Sequence, residues 1–364
     1  MKILLPLFIF ILSFNAKAIS FEDGIFPELA TSGRALAMGN AYIAKVDDAS
    51  AVFYNPAGLG TVRYPHLHLS NFNIESNKDV LNAATAGSFS SATANIGKIA
   101  SMDGFRKLMY SNVGDIAHVR LAALPNFTTR YFSVGYLYAK RMRATVTSTT
   151  SSTGFEYADR IDSGPYGAFN LSLFGGIFKL GVSTIYLTRA QITGTADPTK
   201  TINIAYGNYY RGTSLVTTMG TKLTLPITFL PTFAATFHNA FHQRFTDNGA
   251  GAPTTIPSSL DVGFSITPQL SQASRICFEV DYKDLNEQFP GISASRQVLL
   301  GMELDIARTF FFRLGYGDGF GSAGIGVRSQ KLEFDLTTYS VDTTTSAFRG
   351  KEDRRFVIGI SSGF

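Results

Sequence analysis

The chain has 364 residues, 45% hydrophobic and only 16% charged, with 31 Phe, 16 Tyr and no Trp. That charged share is low and that aromatic share high for a soluble domain, and a formal charge of +5 without any Lys/Arg block offers nucleic acid no binding stripe. The single cysteine, Cys277, excludes an intramolecular disulfide framework.

Lys2, an apolar run from Ile3 to Phe14 and the Ala16-Lys17-Ala18 triplet form the charged, apolar and small-residue regions of a secretory signal peptide. Residues 1–18 are therefore expected to be removed, with the mature chain starting near Ile19. No cysteine lies nearby for the lipoprotein route. Beyond the signal there is no apolar run of about 18 residues, so no helix is expected to cross a bilayer. A membrane protein built from such a chain has to be a closed β-barrel, because only closure pairs every backbone group in lipid.

The stretch from Ser32 to Gly60 is rich in small residues. Asp47 or Asp48 can cap a short helix over Ala49 to Tyr54, since an Asx oxygen accepts from the free first-turn amides. Pro56 disfavours a helical Asn55 and ends that helix, and Gly58 and Gly60 allow close backbone approach. Taken singly, these residues describe a small helix-turn packed in a core. Together, Gly33-Arg34-Ala35, Gly39, Ala41, Ala44, Asp47-Asp48-Ala49 and Asn55-Pro56-Ala57-Gly58 resemble the N-terminal hatch of the long-chain fatty acid transporter (FadL) superfamily, which includes secretion-associated PorV-type relatives. The resemblance implies a barrel plugged from the periplasmic side by residues 19–64, with the Asn-Pro-Ala turn anchoring the plug in the wall. It makes Ile19 to Thr31 the mobile part and Gly33, Gly39, Asp47, Asp48, Asn55, Pro56 and Ala57 the plug and gating residues.

Residues 65–364 read as the barrel: an all-β, transmembrane, antiparallel sheet of about fourteen strands. The first strand is expected at His66 to Ile74, with a bulge near Asn71, followed by a partly helical excursion from Asn77 to Asn112. Farther on, alternation is clear. Ile276, Phe278, Val280 and Tyr282 oppose Arg275, Cys277, Glu279, Asp281 and Lys283. Val298, Leu300, Met302, Leu304 and Ile306 oppose Gln297, Glu303 and Asp305, and Leu332, Phe334 and Leu336 oppose Lys331, Glu333 and Asp335. A soluble sandwich alternates too, so the connections decide. Short turns at Pro125-Asn126, Gly175-Gly176, Pro226 to Pro231, Pro268 to Ala273, Ala307-Arg308 and Ser329-Gln330 alternate with longer loops. The longer set is Asn77 to Gly114, Ser148 to Ser163, Gly194 to Thr213, Thr246 to Ile256, Leu285 to Ser295 and Thr343 to Asp353, with only Asp318 to Gly321 brief among them. Short periplasmic turns and long extracellular loops are the outer-membrane pattern. Phe356, Ile358 and Ile360 lead into Phe364, which resembles the C-terminal signal read by the barrel assembly machinery, although Ser362 stands where an aromatic is common. VDYKDLN from Val280 and RLGYGDGFGSAGIGVR from Arg313 resemble strand ends of the same superfamily.

The five histidines form no metal or catalytic spacing: His238 and His242, placed on one strand face, would lie about 13 Å apart. His66 and His68 suit a polar lumen, and no H-E-x-x-H, G-x-S-x-G or phosphate loop is present. No cofactor or metal is expected and no enzyme, although an outer-membrane lipase assembled from a distant Ser-His pair is the catalytic alternative. Glu279, Asp281, Glu303, Asp305, Glu333 and Asp335 must face inward, since a lipid-facing charge costs roughly 2–4 kcal/mol at the midplane. Pairing with Arg275, Lys283, Arg313, Arg328 and Lys331 is their plainest use. Ile202, Ile204, Tyr206, Tyr209 and Tyr210 beside Arg211 form a candidate ligand loop, apolar with a cationic rim, or else an extension of the wall or girdle. The function implied by the resemblance is passive uptake of hydrophobic small molecules such as fatty acids or hydrocarbons by a Gram-negative outer-membrane channel in contact with membrane lipid. The alternative is a PorV-like protein that binds an exported protein.

Overall fold

Side chains that alternate between lipid and lumen need a strand, and strands in lipid need closure. The computed structural model describes residues 29–85, 95–248, 251–288, 292–329, 331–342 and 352–363; the expected signal peptide, residues 19–28 and Phe364 lie outside them. The strands are β1 (His66–Asn77), β2 (Ile116–Ala123), β3 (Asn126–Thr128), β4 (Phe132–Val146), β5 (Phe155–Leu173), β6 (Phe178–Ala196), β7 (Tyr210–Thr224) and β8 (Thr232–His238). They continue as β9 (Ser259–Ile266), β10 (Ser274–Tyr282), β11 (Val298–Ile306), β12 (Phe310–Gly317), β13 (Phe320–Arg328), β14 (Leu332–Asp342) and β15 (Glu352–Gly363). Each pairs antiparallel with its neighbours and β15 pairs back onto β1, which closes the sheet. β2 and β3 are halves of one strand lying between β1 and β4, so the barrel has 14 strands.

Pro125 causes that division, because it has no N–H to give a ladder. The turn expected at Pro125-Asn126 is therefore an interruption within a strand, and the chain reverses at 129–131. The wall stays bonded across it: Leu124 N–H donates to Asn71 O at 2.9 Å and Tyr136 N–H to Pro125 O at 3.0 Å. The bulge in β1 falls between His68 and Ser70, slightly earlier than expected.

Alternation sorts the side chains as the sequence indicates. On β10, Phe278 and Val280 are 42% and 46% exposed while Glu279 and Asp281 are 1% and 0% exposed. Phe72, Ile74, Phe169, Leu171, Phe312 and Leu314 are exposed in the same way, and such positions on successive strands form the lipid-facing apolar band.

β4, β5 and β6 have 15, 19 and 19 residues, more than the roughly 9–11 that cross a bilayer. The loops expected at Ser148 to Ser163 and Gly194 to Thr213 therefore shrink to 147–154 and 197–209, because pairing continues outside the membrane, where both faces of a strand tolerate polar residues. The excursion after β1 forms α3 (Lys78–Thr85) and α4 (Met102–Met109), the two short plug helices below being α1 and α2. Val80, Phe105, Leu108 and Met109 cover Ala117, Val119, Met142 and Ala144 of the wall, on the face that carries Leu121 and Tyr138 farther down. β8 stops at His238, and its loop turns inward: Phe245 and Ile256 join the cluster of Leu137, Leu187 and Val216. His242 consequently sits in a turn at φ 50° and shares no strand face with His238.

Candidate functional site

The plug is two short helices, α1 (Gly33–Ala37) and α2 (Ala51–Tyr54), and a 3₁₀ turn at Pro56–Thr61, joined by irregular chain that has to bond to the wall. Carboxylates of β10 do this for the middle of it. Asp281 Oδ2 accepts from Tyr42 N (2.6 Å) and Ile43 N (3.1 Å), and Glu279 Oε1 accepts from Ala44 N (2.6 Å) and Lys45 N (3.1 Å). These two acids therefore hold plug backbone, while ion pairing is left to Arg275–Asp305, Arg313–Glu303, Arg313–Asp335 and Arg328–Glu333.

Asn55 is fully buried and bonds three ways. Its Nδ2 donates to Ile43 O (3.0 Å) within the plug and to Thr221 O (3.1 Å) in β7, and its Oδ1 accepts from Ala57 N (3.0 Å). It ends α2 and starts the 3₁₀ turn, for which Pro56 supplies a preset φ and lacks only an N–H that would be unpaired there. The wall makes room at the same points: a β-carbon at Gly220 would overlap Asn55 Oδ1, and one at Gly181 would overlap the Pro56-Ala57 peptide. Gly39, at φ 65°, is seated likewise between Gly315 and Tyr316 of β12. Gly33 O accepts from Thr337 Oγ1 at 2.8 Å.

Arg34 joins these parts. Its guanidinium meets Glu303 through Nε (2.6 Å) and Nη2 (2.7 Å) and reaches Asp47 (2.6 Å) and Asp48 (3.1 Å) through Nη1, with Tyr42 5.3 Å away under its plane. Lys45 Nζ adds a contact to Asp47 at 3.1 Å. Burial works to raise the Asp47 carboxyl, but Arg34 and Lys45 hold it well below the usual carboxylate range; Asp48 is lowered against burial chiefly by Arg34. The expected cap is corrected here: Asp47 is taken up by these cations, and Asp48 Oδ1 accepts from Ser50 N (2.9 Å) in a turn ahead of α2, which starts at Ala51 with no side-chain cap. The sequence points to Asp47, Asp48 and Asn55, but Arg34 as hub and Gly181, Gly220 and Gly315 as seats escape it. Inward-facing glycine on a strand is the signal that would have found the seats.

Above the plug lies an apolar chamber. Val52 and Phe53 form its floor, Ile185 and Val216 its wall, and Leu29 and Ile256 pack against them around about 40 Å³, with Ser183, Thr218, His238 and Asn239 on the polar side. Phe53 packs edge-on against Tyr166 at 5.2 Å. Below, beside Arg34 and Asp48, is a cavity of about 90 Å³. Neither matches the roughly 150 Å³ that holds benzene.

The candidate ligand loop lies elsewhere, on the outer side of the extended strands. Ile202 and Ile204 pack towards α3 and α4, Tyr209 is buried with its hydroxyl on Asp159 (2.9 Å), and Tyr206 and Tyr210 are exposed, with Arg211 over Tyr206. Arg106 to Pro198 O (2.6 Å) and Ile202 N to Asp103 (3.0 Å) tie this loop to α4. His242 lies 3.0 Å from Ser258 Oγ, but that hydroxyl donates to Asn239 O, so it is held in a structural bond and not poised as a nucleophile. Among the described residues no His/Cys/Asp/Glu group has metal-site spacing.

No protein-family model and no curated sequence matches the chain. Solved structures do match in fold. The CymD monoaromatic hydrocarbon channel aligns with a TM-score of 0.53 at 10% identity, over 92% of this chain and 98% of that one. The toluene transporter TbuX of Ralstonia pickettii aligns with a TM-score of 0.53 at 12% identity, over 92% and 98%. With its closed 14-strand barrel, its exposed apolar band and its wall-bonded N-terminal plug, this chain has the fold of these hydrocarbon channels.

Proposed function

We propose that the protein is a passive channel for hydrophobic small molecules, fatty acids or hydrocarbons among them. The observation that carries this reading is the largely apolar chamber above the plug, walled in part by Leu29 and Ile256, side chains contributed by connecting segments and not by strands. A ligand that displaces them moves from water into an apolar site on the extracellular side of a plug fastened to the wall. The fold neighbours, a monoaromatic hydrocarbon channel and a toluene transporter, point the same way. In this scheme Tyr206 and Tyr210 beside Arg211 make first contact, and shifts of the plug around Gly33, Gly39, Asp47, Asp48 and Asn55-Pro56-Ala57 release the ligand downward or through the wall.

The absence of tryptophan supplies the test. Phe53→Trp gives the chamber floor the chain's only indole. Titrating toluene or octanol into the purified barrel is expected to shift its emission saturably, and Val216→Arg is expected to abolish both the shift and uptake of the same compound into outer-membrane vesicles. A linear, non-saturating response from a folded barrel would overturn the channel reading. The PorV-like alternative draws support from the small size of the two cavities that flank the plug beside Phe53 and Arg34, about 40 and 90 Å³. Native mass spectrometry showing an empty barrel that retains a specific exported protein would select it.

A further inference from the structure

The periplasmic mouth under the plug holds a cavity of about 490 Å³, within the range of small-molecule sites. Among the described residues that line it, Arg63, Arg275, Arg308, Arg328 and Lys331 stand against Asp47, Asp305 and Glu333. Arg275 is paired with Asp305 at 2.7 Å and Arg328 with Glu333 at 2.7 Å, while Asp47 is committed to Arg34 and Lys45. Arg63, in the segment leaving the plug, and Arg308, in the turn after β11, have no carboxylate within ion-pair distance among the described residues. Burial first, then the neighbouring Arg275 and Arg308 guanidiniums, pull Arg63 below its ordinary value, outweighing the opposing pull of Asp47 and Asp305. Beside them Tyr64, 67% exposed, offers apolar surface, while Phe311 is 3% exposed, with the Arg313 and Arg328 guanidiniums 5.2 and 5.3 Å from its ring centre.

We propose that this vestibule is a second binding site, for a small amphiphilic carboxylate, whose head group sits on Arg63 and Arg308 and whose apolar body lies on Tyr64. The site opens inside the barrel mouth, between inward-facing residues of β10 to β14, so a bilayer lipid standing on the outer face does not reach it. It shares Asp47 with the cavity beside Arg34, so an occupant rests against the plug's own latch. The inference goes beyond the uptake reading and does not need it, because it concerns equilibrium binding.

The test is equilibrium dialysis of the full protein, held in amphipol, with labelled octanoate and with octanol. Octanoate is expected to bind saturably, and Arg63→Gln with Arg308→Gln to weaken it roughly tenfold or more by removing charge-assisted contacts. Neither substitution strands a buried acid, and heat-modifiable migration checks the fold. Octanol binding, which reports the apolar chamber, should be unchanged in the double variant. Octanoate binding that is absent, or equal in the two proteins, overturns the proposal whatever octanol does. Arginine-dependent octanoate binding without any octanol binding would uphold it while counting against the uptake reading.

Discussion

At the residue scale, Arg34 is the contact on which the plug's docking turns. Arg34 and Glu303 are 3% and 1% exposed, and their pair is bidentate. Removing one partner of a buried pair costs about 3–5 kcal/mol where the other charge is left uncompensated, and less here, because Arg313 still bonds Glu303 at 2.9 Å. Arg34→Ala is therefore expected to loosen the plug and not the barrel: single-channel conductance and amide exchange across 33–61 should rise while heat-modifiable migration is kept. Arg34→Lys should rescue little, since an ammonium cannot span Glu303 and Asp47 with a planar fork. The same site sets a pH window. Asp47 and Asp48 have values lowered in the folded state, so their stabilisation is fully present above the ordinary carboxylate value near ~4 and is lost as pH falls through the folded values beneath it. Conductance should stay flat from about pH 8 to 5 and rise only below about 4; a rise centred near neutrality would count against this latch.

At the scale of elements, the wall is shaped to the plug by glycine. Gly220→Ala would press a methyl against Asn55, so plug docking should weaken, whereas Gly321→Ala, with open space at its β-carbon, should leave conductance unchanged. The extracellular lobe makes a parallel case. Burial works to raise Asp103, yet bonds from Lys107, the Ile202 amide and Arg106 bring it to about 2. The tie between α4 and the 197–209 loop should accordingly hold from neutral pH down to about 4 and let go towards 2, read as protease cleavage within the loop; Asp103→Ala should expose it at neutral pH. Elements of this kind were unequally legible. The alternation of β10, β11 and β14 was plain because one face meets lipid and the other meets charge. Asn55-Pro56 was legible because its constraint is local. The extensions of β5 and β6 were not, because outside the membrane neither face has to be apolar, so the period fades although the ladder continues. The partnership of Arg34 with Glu303 spans 269 positions, and nothing local in the chain encodes it.

For the whole molecule, plug and barrel are held by different forces, and that separates their stabilities. The barrel rests on its closed ladder and lipid-facing band, neither of which includes plug residues. Glu279, Asp281 and Glu303 face the plug, but in an emptied lumen water can hydrate them, which a closed core could not do. Joining the expected signal peptide directly to Val62 should therefore give a barrel that inserts and migrates as folded, less stable to heat and with far higher conductance. If that chain fails to insert, the plug is a folding core and not a removable stopper. The truncated barrel also completes a cycle with the glycine seats. Gly220→Ala acts in the intact protein through its clash with Asn55 and Pro56 of the plug, so in the plugless barrel it should have no effect on melting temperature. An equal loss in both backgrounds would mean that the glycine serves the strand itself.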